Sequence, residues 1–293
     1  MGKIVQYLIV MVILFSVSSC IKDEPSECPP EYTIRVSIKD KNFFNIAQIT
    51  QLQPMDENLP LSNYISNLYY SLRDLSTGNI YMESQYIPLS GTDKYYTIAF
   101  RNIPHGKYVL DVWGNLDSNS NVGFLHGNNS ESTDLYLGST ELNFTSDFQE
   151  GNVELERVKG KLLVLCTNFP STITSIMQEI NNLYETVGSQ KVYSGNTFVT
   201  KTSPSATQIE TSLSPSIDQM NSILKLTFIS STNAVAKEVA NGNMQVPDIN
   251  LTIKRNEISV VSVNYNDLVG EWEISALIDN QWTLIHQFKI SDL

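Results

Sequence analysis

The sequence predicts an all-β protein, with two tandem β-sandwich domains that follow an N-terminal signal peptide. Short segments of alternating polar and apolar residues recur along the chain, separated by clusters of Gly, Pro, Asn and Ser. The chain has 293 residues, which is enough for two ordinary domains. An apolar run near the N-terminus ends in small residues and a cysteine, a pattern typical of exported lipoproteins.

Residues 1–19 have the composition of a lipoprotein signal peptide. Residues 8–15 are uninterruptedly apolar, but a membrane-spanning helix needs about 20 such residues. Small residues then lead to Cys20, which we expect to become the lipidated first residue of the mature chain. An uncleaved transmembrane anchor is the less favoured alternative.

Residues 20–30 are predicted to form a tether between the lipid and the folded domains. Within it, Lys22, Asp23 and Glu24 resemble the short acidic export signal of surface-exposed lipoproteins in Bacteroidetes-type bacteria. That resemblance implies a protein that faces outward from the outer membrane. The alternative is a solvated spacer, in which the charges and Pro25 only prevent folding near the membrane.

The chain is acidic, with a formal net charge of −12. This charge argues against nucleic acid as a partner and against electrostatic attraction to anionic lipid headgroups. Membrane attachment is therefore expected to depend on lipid at Cys20. The other two cysteines are Cys28 and Cys166, and a buried free Cys166 is favoured over a disulfide between them, since one pair is not a disulfide framework.

The N-terminal sandwich is predicted over residues 31–156. Its strands are expected at residues 32–38, 69–75, 80–82, 95–100 and 107–113. The second and third of these should form a hairpin across a Ser-Thr-Gly-Asn turn. The fourth and fifth are predicted to pair across Asn-Ile-Pro-His-Gly.

The C-terminal sandwich is predicted over residues 157–293. Its strands are expected at residues 161–166, 223–229, 249–254, 258–264, 272–274 and 281–290, the last two turning at Asp279-Asn280. Residues 174–183 are the best helix candidate, although Ile173, Ile176 and Ile180 also fit a strand. Residues 194–216 are rich in Ser, Thr and Pro and predict a long exposed loop.

The sequence predicts no catalytic, metal or cofactor site. His105, His126 and His286 have no metal-ligand spacing, and neither a nucleophilic-serine motif nor a nucleotide-binding loop is present. Residues 117–121 alternate oxygen-bearing side chains as a calcium loop does, but Val122 and Asn128 stand where an EF-hand needs Gly and Glu. We therefore expect a polar turn there, and no small-molecule substrate.

Several motifs resemble those of the fimbrial anchor lipoproteins of Bacteroidales (the FimB/Mfa type). The main one is residues 103–115, IPHGKYVLDVWGN, in which Gly106 begins a strand and Gly114-Asn115 end it. Shorter matches in the same order are Glu27-Cys28-Pro29, the segment 72–79, the DLYLG segment 134–138, and the crossing at residues 153–164. The resemblance covers nearly the whole mature chain, except the weakly patterned residues 171–222.

This resemblance implies two transthyretin-like sandwiches that bind no cofactor and catalyse nothing. Members of that family lie at the base of a type V fimbria, hold it to the outer membrane by lipid and limit its length. The implied partner is the fimbrial stalk subunit, or fimbrillin, and assembly in such fimbriae proceeds by donor-strand exchange, a form of β-augmentation.

The C-terminal segment is the candidate for donor-strand exchange in this chain. Alternation from residue 282 to 290 is expected to place Trp282, Leu284, His286, Phe288 and Ile290 on one face. The segment is then a possible donor strand for the first stalk subunit. The favoured alternative is that it pairs within its own sandwich.

A second function remains open at this stage. The chain has abundant aromatic residues, and exposed tyrosines or tryptophans line many carbohydrate-binding surfaces. A surface lipoprotein that binds a glycan or a host protein is therefore the alternative to a fimbrial anchor.

Overall fold

In this computed structural model the chain is built almost entirely of β-strands that form two sandwiches, so the predicted fold class is confirmed. The structure describes residues 31–117, 121–145, 149–218, 222–230 and 243–289. Short 3-10 helices lie at Ile46–Gln48, Leu61–Asn63, Gly127–Asn129 and Ser189–Lys191. The division between residues 156 and 157 stays a prediction.

The first sandwich is one folded-over sheet. Its strands are β1 (Glu31–Ile38), β2 (Asn67–Asp74), β3 (Ile80–Glu83), β4 (Ile87–Pro88), β5 (Tyr96–Arg101), β6 (Gly106–Gly114), β7 (Tyr136–Phe144) and β8 (Gln149–Arg157). They follow the order β3-β2-β6-β7-β8-β1-β5, with β4 on β2. Strand β8 pairs with β1 along most of its length and with β7 only at its end, so the sheet turns over there.

The two halves of this sheet face each other across one apolar core. Alternate residues of β1 and β5, such as Val36 and Phe100, meet Leu72 and Leu110 from the other half. The period of two in the sequence therefore matches the buried face of each strand. The predicted hairpin β2–β3 is confirmed.

The second sandwich has two five-stranded sheets. Its strands are β9 (Gly160–Thr167), β10 (Ile173–Leu183), β11 (Thr186–Val187), β12 (Tyr193–Ser194), β13 (Thr197–Pro204), β14 (Gln208–Leu213), β15 (Ser222–Ser230), β16 (Asn243–Gln245), β17 (Ile249–Leu251), β18 (Ile258–Asn266), β19 (Glu271–Ile278) and β20 (Gln281–Lys289). One sheet follows β14-β9-β18-β19-β20, and the other follows β13-β10-β15-β16 with β17 on β15.

Both sandwiches begin with the same arrangement of three strands. In the first, β1 pairs antiparallel with β5 and parallel with β8. In the second, β9 pairs antiparallel with β14 and parallel with β18. The repeated pairing shows that the chain builds two sandwiches of related topology in tandem.

One predicted strand pair is wrong. Strands β5 and β6 follow each other in sequence, but β5 pairs with β1 whereas β6 pairs with β2 and β7. The connecting segment, with Pro104 inside it, carries the chain from one half of the folded sheet to the other. The alternation of polar and apolar residues predicts both strands, but it does not predict which strand each one pairs with.

Residues 173–183 form strand β10, so the helix prediction is wrong and the strand alternative is confirmed. Ile176, Gln178 and Ile180 point inward with a period of two. A bulge between Ile173 and Ser175 shifts the alternation at the start. The polar Gln178 on the inward face, together with this bulge, gives the apolar residues a helix-like spacing.

The exposed loop predicted for residues 194–216 is wrong as well. The segment contains β13 and β14, which are edge strands of the two sheets. Val199, Ile209 and Leu213 are buried in the core, and Thr211 is fully buried beside them. Threonine has a β-branched side chain that favours strands, so a Thr-rich segment can be both polar and strand-forming.

Two small apolar clusters join the sandwiches, and each sandwich contributes a segment to the other. Ile49 of the β1–β2 connection packs on the outer face of β9 and β18, against Leu163 and Val260. In the other cluster, Val187 of the β11–β12 hairpin packs with Trp113 on the outer face of the first sandwich.

A buried polar centre lies between these clusters. Arg157 is almost fully buried, and its guanidinium donates to Asp134, Asn256 and the Tyr136 hydroxyl, each at 2.5 Å. Asp40 accepts from the Arg157 backbone N–H at 3.0 Å. Because these groups come from both sandwiches, the pairing fixes one sandwich against the other.

Cys166 lies in the core of the second sandwich with a free thiol, as the sequence predicts. Burial raises the pKa of this thiol to about 12. The thiolate, which is the reactive form, is therefore strongly disfavoured in the folded protein. Cys28 lies outside the described residues.

Candidate functional site

Five of the predicted functional residues lie outside the part of the chain that the structure describes. They are Cys20, Lys22, Asp23, Glu24 and Ile290. Among the described residues, no helix has the length and apolar character to cross a membrane. The site that can be examined is therefore the C-terminal strand β20.

Strand β20 is the last strand of its sheet. It pairs antiparallel with β19 across a tight turn at Asp279 and Asn280, whose φ angles are 48° and 65°. Positive φ at both central residues is what a two-residue hairpin turn of type I′ requires. The other edge of β20 has no strand partner among the described residues, and such an edge can pair with another chain.

The expected single face of the C-terminal segment is wrong, because a bulge divides it. His286 lies opposite Ile274, whereas Leu284 lies opposite Ser275, so the register shifts by one residue between them. Cross-strand partners project from the same side of a sheet. His286 and Phe288 therefore face the core beside Ile274, and Leu284 faces outward with Trp282.

The inward half of β20 belongs to its own sandwich. Phe288 is 8% exposed and packs in the core, and Ile285 packs against the same core. His286 Nε2 lies 2.9 Å from the carbonyl oxygen of Asp248, in the connection between two strands of the facing sheet. This half is thus held by apolar packing and by a polar contact between the sheets.

The outward half of β20 exposes large apolar side chains. Trp282 is 49% and Leu284 55% exposed. Trp282 lies opposite Leu277, which packs against the small cluster around Ile49. A row of apolar side chains on the outer face of this sheet therefore runs from the inter-sandwich contact to its free edge, where exposed apolar groups favour a partner.

The residues of the main sequence motif have structural roles in the first sandwich. Tyr108, Leu110 and Val112 of β6 share the core face, as expected. A side chain at Gly114 would place a Cβ 2.9 Å from Ile65 Cγ2, so close packing explains the glycine. Asn115 follows with φ of 62° and accepts a 2.7 Å hydrogen bond from the Ser66 backbone N–H.

The three histidines do not come together. His105 is exposed in its turn, and His286 lies at the sheet edge. His126 is buried between the sandwiches, where its Nε2 accepts a 2.9 Å hydrogen bond from the Ser214 backbone N–H. Burial, with nearby Lys159, lowers the pKa of His126 to about 3, so the ring is neutral.

The bulge and the buried histidine could not be read from the sequence. The residues before and after the bulge in β20 alternate normally, and only the pairing with β19 reveals the shift in register. His126 occurs in a segment with no strand pattern, and its role depends on Ser214, which is 88 residues away. Among the described residues, no group of His, Cys, Asp or Glu side chains has an arrangement that could hold a metal ion.

No protein-family model and no curated protein matches the sequence. Solved structures with a similar fold are found nonetheless. A candidate adhesin from Bacteroides ovatus has a TM-score of 0.56 and 10% identity, over 88% of this chain and 96% of that one. A candidate adhesin from Bacteroides thetaiotaomicron has a TM-score of 0.54 and 14% identity, over 88% and 99%.

The third comparison concerns a protein of defined role. The fimbrial anchor protein Mfa2 from Porphyromonas gingivalis has a TM-score of 0.50 and 10% identity, over 89% of this chain and 97% of that one. The chain shares its fold with these proteins. The likeness to fimbrial anchors that the motifs predict is thereby confirmed for the fold, over nearly the full length of both chains.

Proposed function

We propose that this chain is a structural, non-enzymatic subunit of a cell-surface fimbria. It is held to the outer membrane by lipid on Cys20, anchors the first fimbrillin subunit of the stalk and limits fimbrial length. The fold shared with Mfa2 supports this role, as does the signal-like segment that ends at Cys20. Lys22, Asp23 and Glu24 are the proposed surface-export signal.

The single observation that carries the proposal is the free edge of β20. It combines an edge that has no strand partner among the described residues with exposed Trp282 and Leu284 on the outward face. A strand of the stalk subunit that adds to this edge would gain main-chain hydrogen bonds and cover both side chains.

Donation of β20 to the stalk subunit is the alternative route. It would remove Phe288 from the core and break the contact between His286 and Asp248. Addition at the free edge leaves those contacts in place. We therefore favour β20 as an acceptor over β20 as a donor. Truncation after Asp279 tests this preference by its effect on the fold: a collapsed fold indicates that β20 is held in its own sandwich, as an acceptor requires, whereas an intact fold indicates a dispensable strand, as donation requires.

The test of anchoring is a Cys20→Ser variant that is still exported. We expect fibres in the culture medium with this protein at one end, seen by electron microscopy. The matched control is Cys28→Ser, which should leave the fibres on the cells. Soluble monomer alone in the medium, with unchanged cells, would contradict the anchoring role.

The free edge is tested with Trp282→Ala combined with Leu284→Lys. Both side chains are exposed, so the fold should persist while attached fibres are lost. Ile80→Lys is the control, because Ile80 is 57% exposed on an edge strand of the other sandwich. Fibres that remain attached in the double variant would rule out this edge as the docking site.

A further inference from the structure

Two strand pairs of this chain are parallel, and they occupy equivalent places in the two sandwiches. In the first sandwich, residues 32–38 of β1 lie opposite residues 149–155 of β8. In the second, residues 161–167 of β9 lie opposite residues 258–264 of β18. All other strand pairs among the described residues are antiparallel. The parallel pairs decide how each sandwich responds to tension along the chain.

Parallel pairing separates the two ends of the first sandwich along its strands. The chain enters the sandwich at Glu31, the start of β1, and leaves it at Arg157, the end of β8. A strand rises about 3.3 Å per residue, so these points are about 25 Å apart along the strands, whereas neighbouring strands are only about 4.8 Å apart. Tension between the two points therefore slides β1 past β8.

Sliding a strand is harder than peeling it from one end. Peeling breaks the hydrogen bonds of a ladder one pair at a time, whereas sliding loads all of them together. Strand β1 lies between β8 and β5, so it cannot slide without breaking two ladders. Just beyond β1, the Lys39 backbone N–H donates a further hydrogen bond to the Leu155 carbonyl oxygen at 2.9 Å. The first sandwich therefore resists tension between its two ends.

The second sandwich is loaded in the same way. The chain enters it at Gly160, the start of β9, and its last strand, β20, ends at Lys289. Strand β19 runs antiparallel to both β18 and β20, so β20 runs in the same direction as β18 and β9. Tension between Gly160 and the end of β20 therefore acts along these strands. Strand β9 also lies between two neighbours, β18 and β14, as β1 does in the first sandwich.

The connection between the sandwiches has little slack. Only Val158 and Lys159 lie between β8 and β9, and both are fully buried. The Val158 backbone N–H donates to the Leu135 carbonyl oxygen of the first sandwich at 2.9 Å. The Lys159 carbonyl oxygen accepts from the Asn256 backbone N–H of the second sandwich at 2.8 Å. Tension on one sandwich is therefore passed to the other without an extensible linker.

We propose that the chain carries mechanical tension through these two parallel strand pairs, each loaded in shear. The inference rests on the proposed function for the points of load, which are lipid on Cys20, before β1, and the stalk subunit at β20. It adds a property to anchoring, since both sandwiches stay folded while an attached fibre is pulled. Forced unfolding is governed by the unfolding rate, so the resistance depends on the direction of the load as well as on stability.

Three surface positions allow the first sandwich to be loaded in two directions. Glu154 of β8 lies opposite Ser37, at the other end of β1 from Glu31, so force between Glu31 and Glu154 slides the strands. Arg101 lies opposite Glu31 on β5, which has no other strand neighbour among the described residues, so force between them peels β5 away. DNA handles on Glu31→Cys with Glu154→Cys give the sliding variant, and handles on Glu31→Cys with Arg101→Cys give the peeling variant.

The test measures the rupture force of both variants with optical tweezers, in the chain from residue 20 with Cys20→Ser and Cys28→Ser. Cys166 keeps its thiol, which is buried. The sliding variant should rupture at a force at least about threefold higher, because the residue pairs of the ladder share the load. Urea denaturation should give both variants the same midpoint, so that the force reports direction and not stability. Equal rupture forces would overturn the proposal.

The same chain, without the handle cysteines, is then pulled from handles at its two termini. We expect two unfolding steps at forces near that of the sliding variant, each releasing about 400 Å of chain from residues 31–157 or 160–289. Unfolding near the force of the peeling variant would contradict the proposal. No fibre or lipid takes part, so the fibre assay with Cys20→Ser is independent. Detached anchoring with intact shear resistance overturns the proposed function alone, and confirmed anchoring with weak sandwiches overturns this inference alone.

Discussion

Trp282 and Phe288 lie on opposite faces of β20, although six residues of regular alternation would place them on the same face. The bulge between them turns Phe288 into the core and leaves Trp282 about half exposed. One strand therefore serves two purposes: its second half stabilises the sandwich, and its first half presents an apolar surface beside a free edge.

The first prediction follows from this division. Phe288→Ala should lower the free energy of unfolding by about 3–5 kcal/mol, because it leaves a cavity in the core. Trp282→Ala should change it by less than about 1 kcal/mol, since half of the side chain is already in water. Urea denaturation of both variants measures the difference. Equal losses would mean that the bulge does not divide the strand.

The second prediction concerns the polar centre between the sandwiches. Arg157→Met should destabilise the protein by about 3 kcal/mol, since it leaves Asp134 and Asn256 without their shared partner. Arg101→Met is the control, because the pair of Arg101 with Glu31 is exposed and should contribute less than about 1 kcal/mol. Thermal unfolding of both variants measures the two losses of stability. A similar small decrease in the melting temperature of each would contradict the role of Arg157 in holding the sandwiches together.

The third prediction is a dependence of stability on pH. Burial lowers the pKa of His126 to about 3 in the folded state, whereas an unfolded histidine has a pKa near 6.5. Between these values only the unfolded chain binds the proton. The contribution of His126 is therefore fully present above pH 6.5 and is lost as pH falls toward 3. From pH 7.5 to pH 5 it should decrease by about 2 kcal/mol.

Urea denaturation at pH 7.5 and pH 5 measures this dependence. The variant His126→Gln should lose the corresponding part of the pH dependence, and His105→Gln, at an exposed position, should keep it. The comparison of variants isolates His126 from other groups that titrate in the same range, Lys159 among them, whose pKa burial lowers to about 7. An unchanged dependence in His126→Gln would show that this ring is not buried as a neutral base.

Much of the fold is predictable because the strands alternate with a period of two. The hairpins β2–β3 and β19–β20 follow from local turn residues, and the core faces of β1 and β6 follow from alternation alone. The partner of β5, by contrast, is set by contacts far along the chain. The edge that defines the candidate docking site depends on the order of strands in a sheet, which alternation does not specify.

The two wrong predictions in the second sandwich share one feature, a polar side chain at an inward position. Thr211 on β14 and Gln178 on β10 are both fully buried, and the Thr211 hydroxyl donates a 3.0 Å hydrogen bond to Gln178 Oε1. Each residue makes its own segment look less strand-like, because a polar side chain occupies an inward position. Only the facing sheet shows that the Thr211 hydroxyl provides a partner for Gln178 Oε1, while Gln178 Nε2 has none among the described residues.

The last prediction tests this pair. Thr211→Val keeps the shape of the side chain but removes the donor, so buried Gln178 Oε1 is left unsatisfied as well and stability should fall by about 1–3 kcal/mol. Thr211→Val combined with Gln178→Leu replaces both partners with apolar groups, and the double variant should be more stable than Thr211→Val alone. Urea denaturation of the two single variants and the double variant gives the coupling energy. Strictly additive losses would mean that the hydrogen bond does not compensate for burying two polar side chains, and another contact would then have to explain why both strands tolerate them.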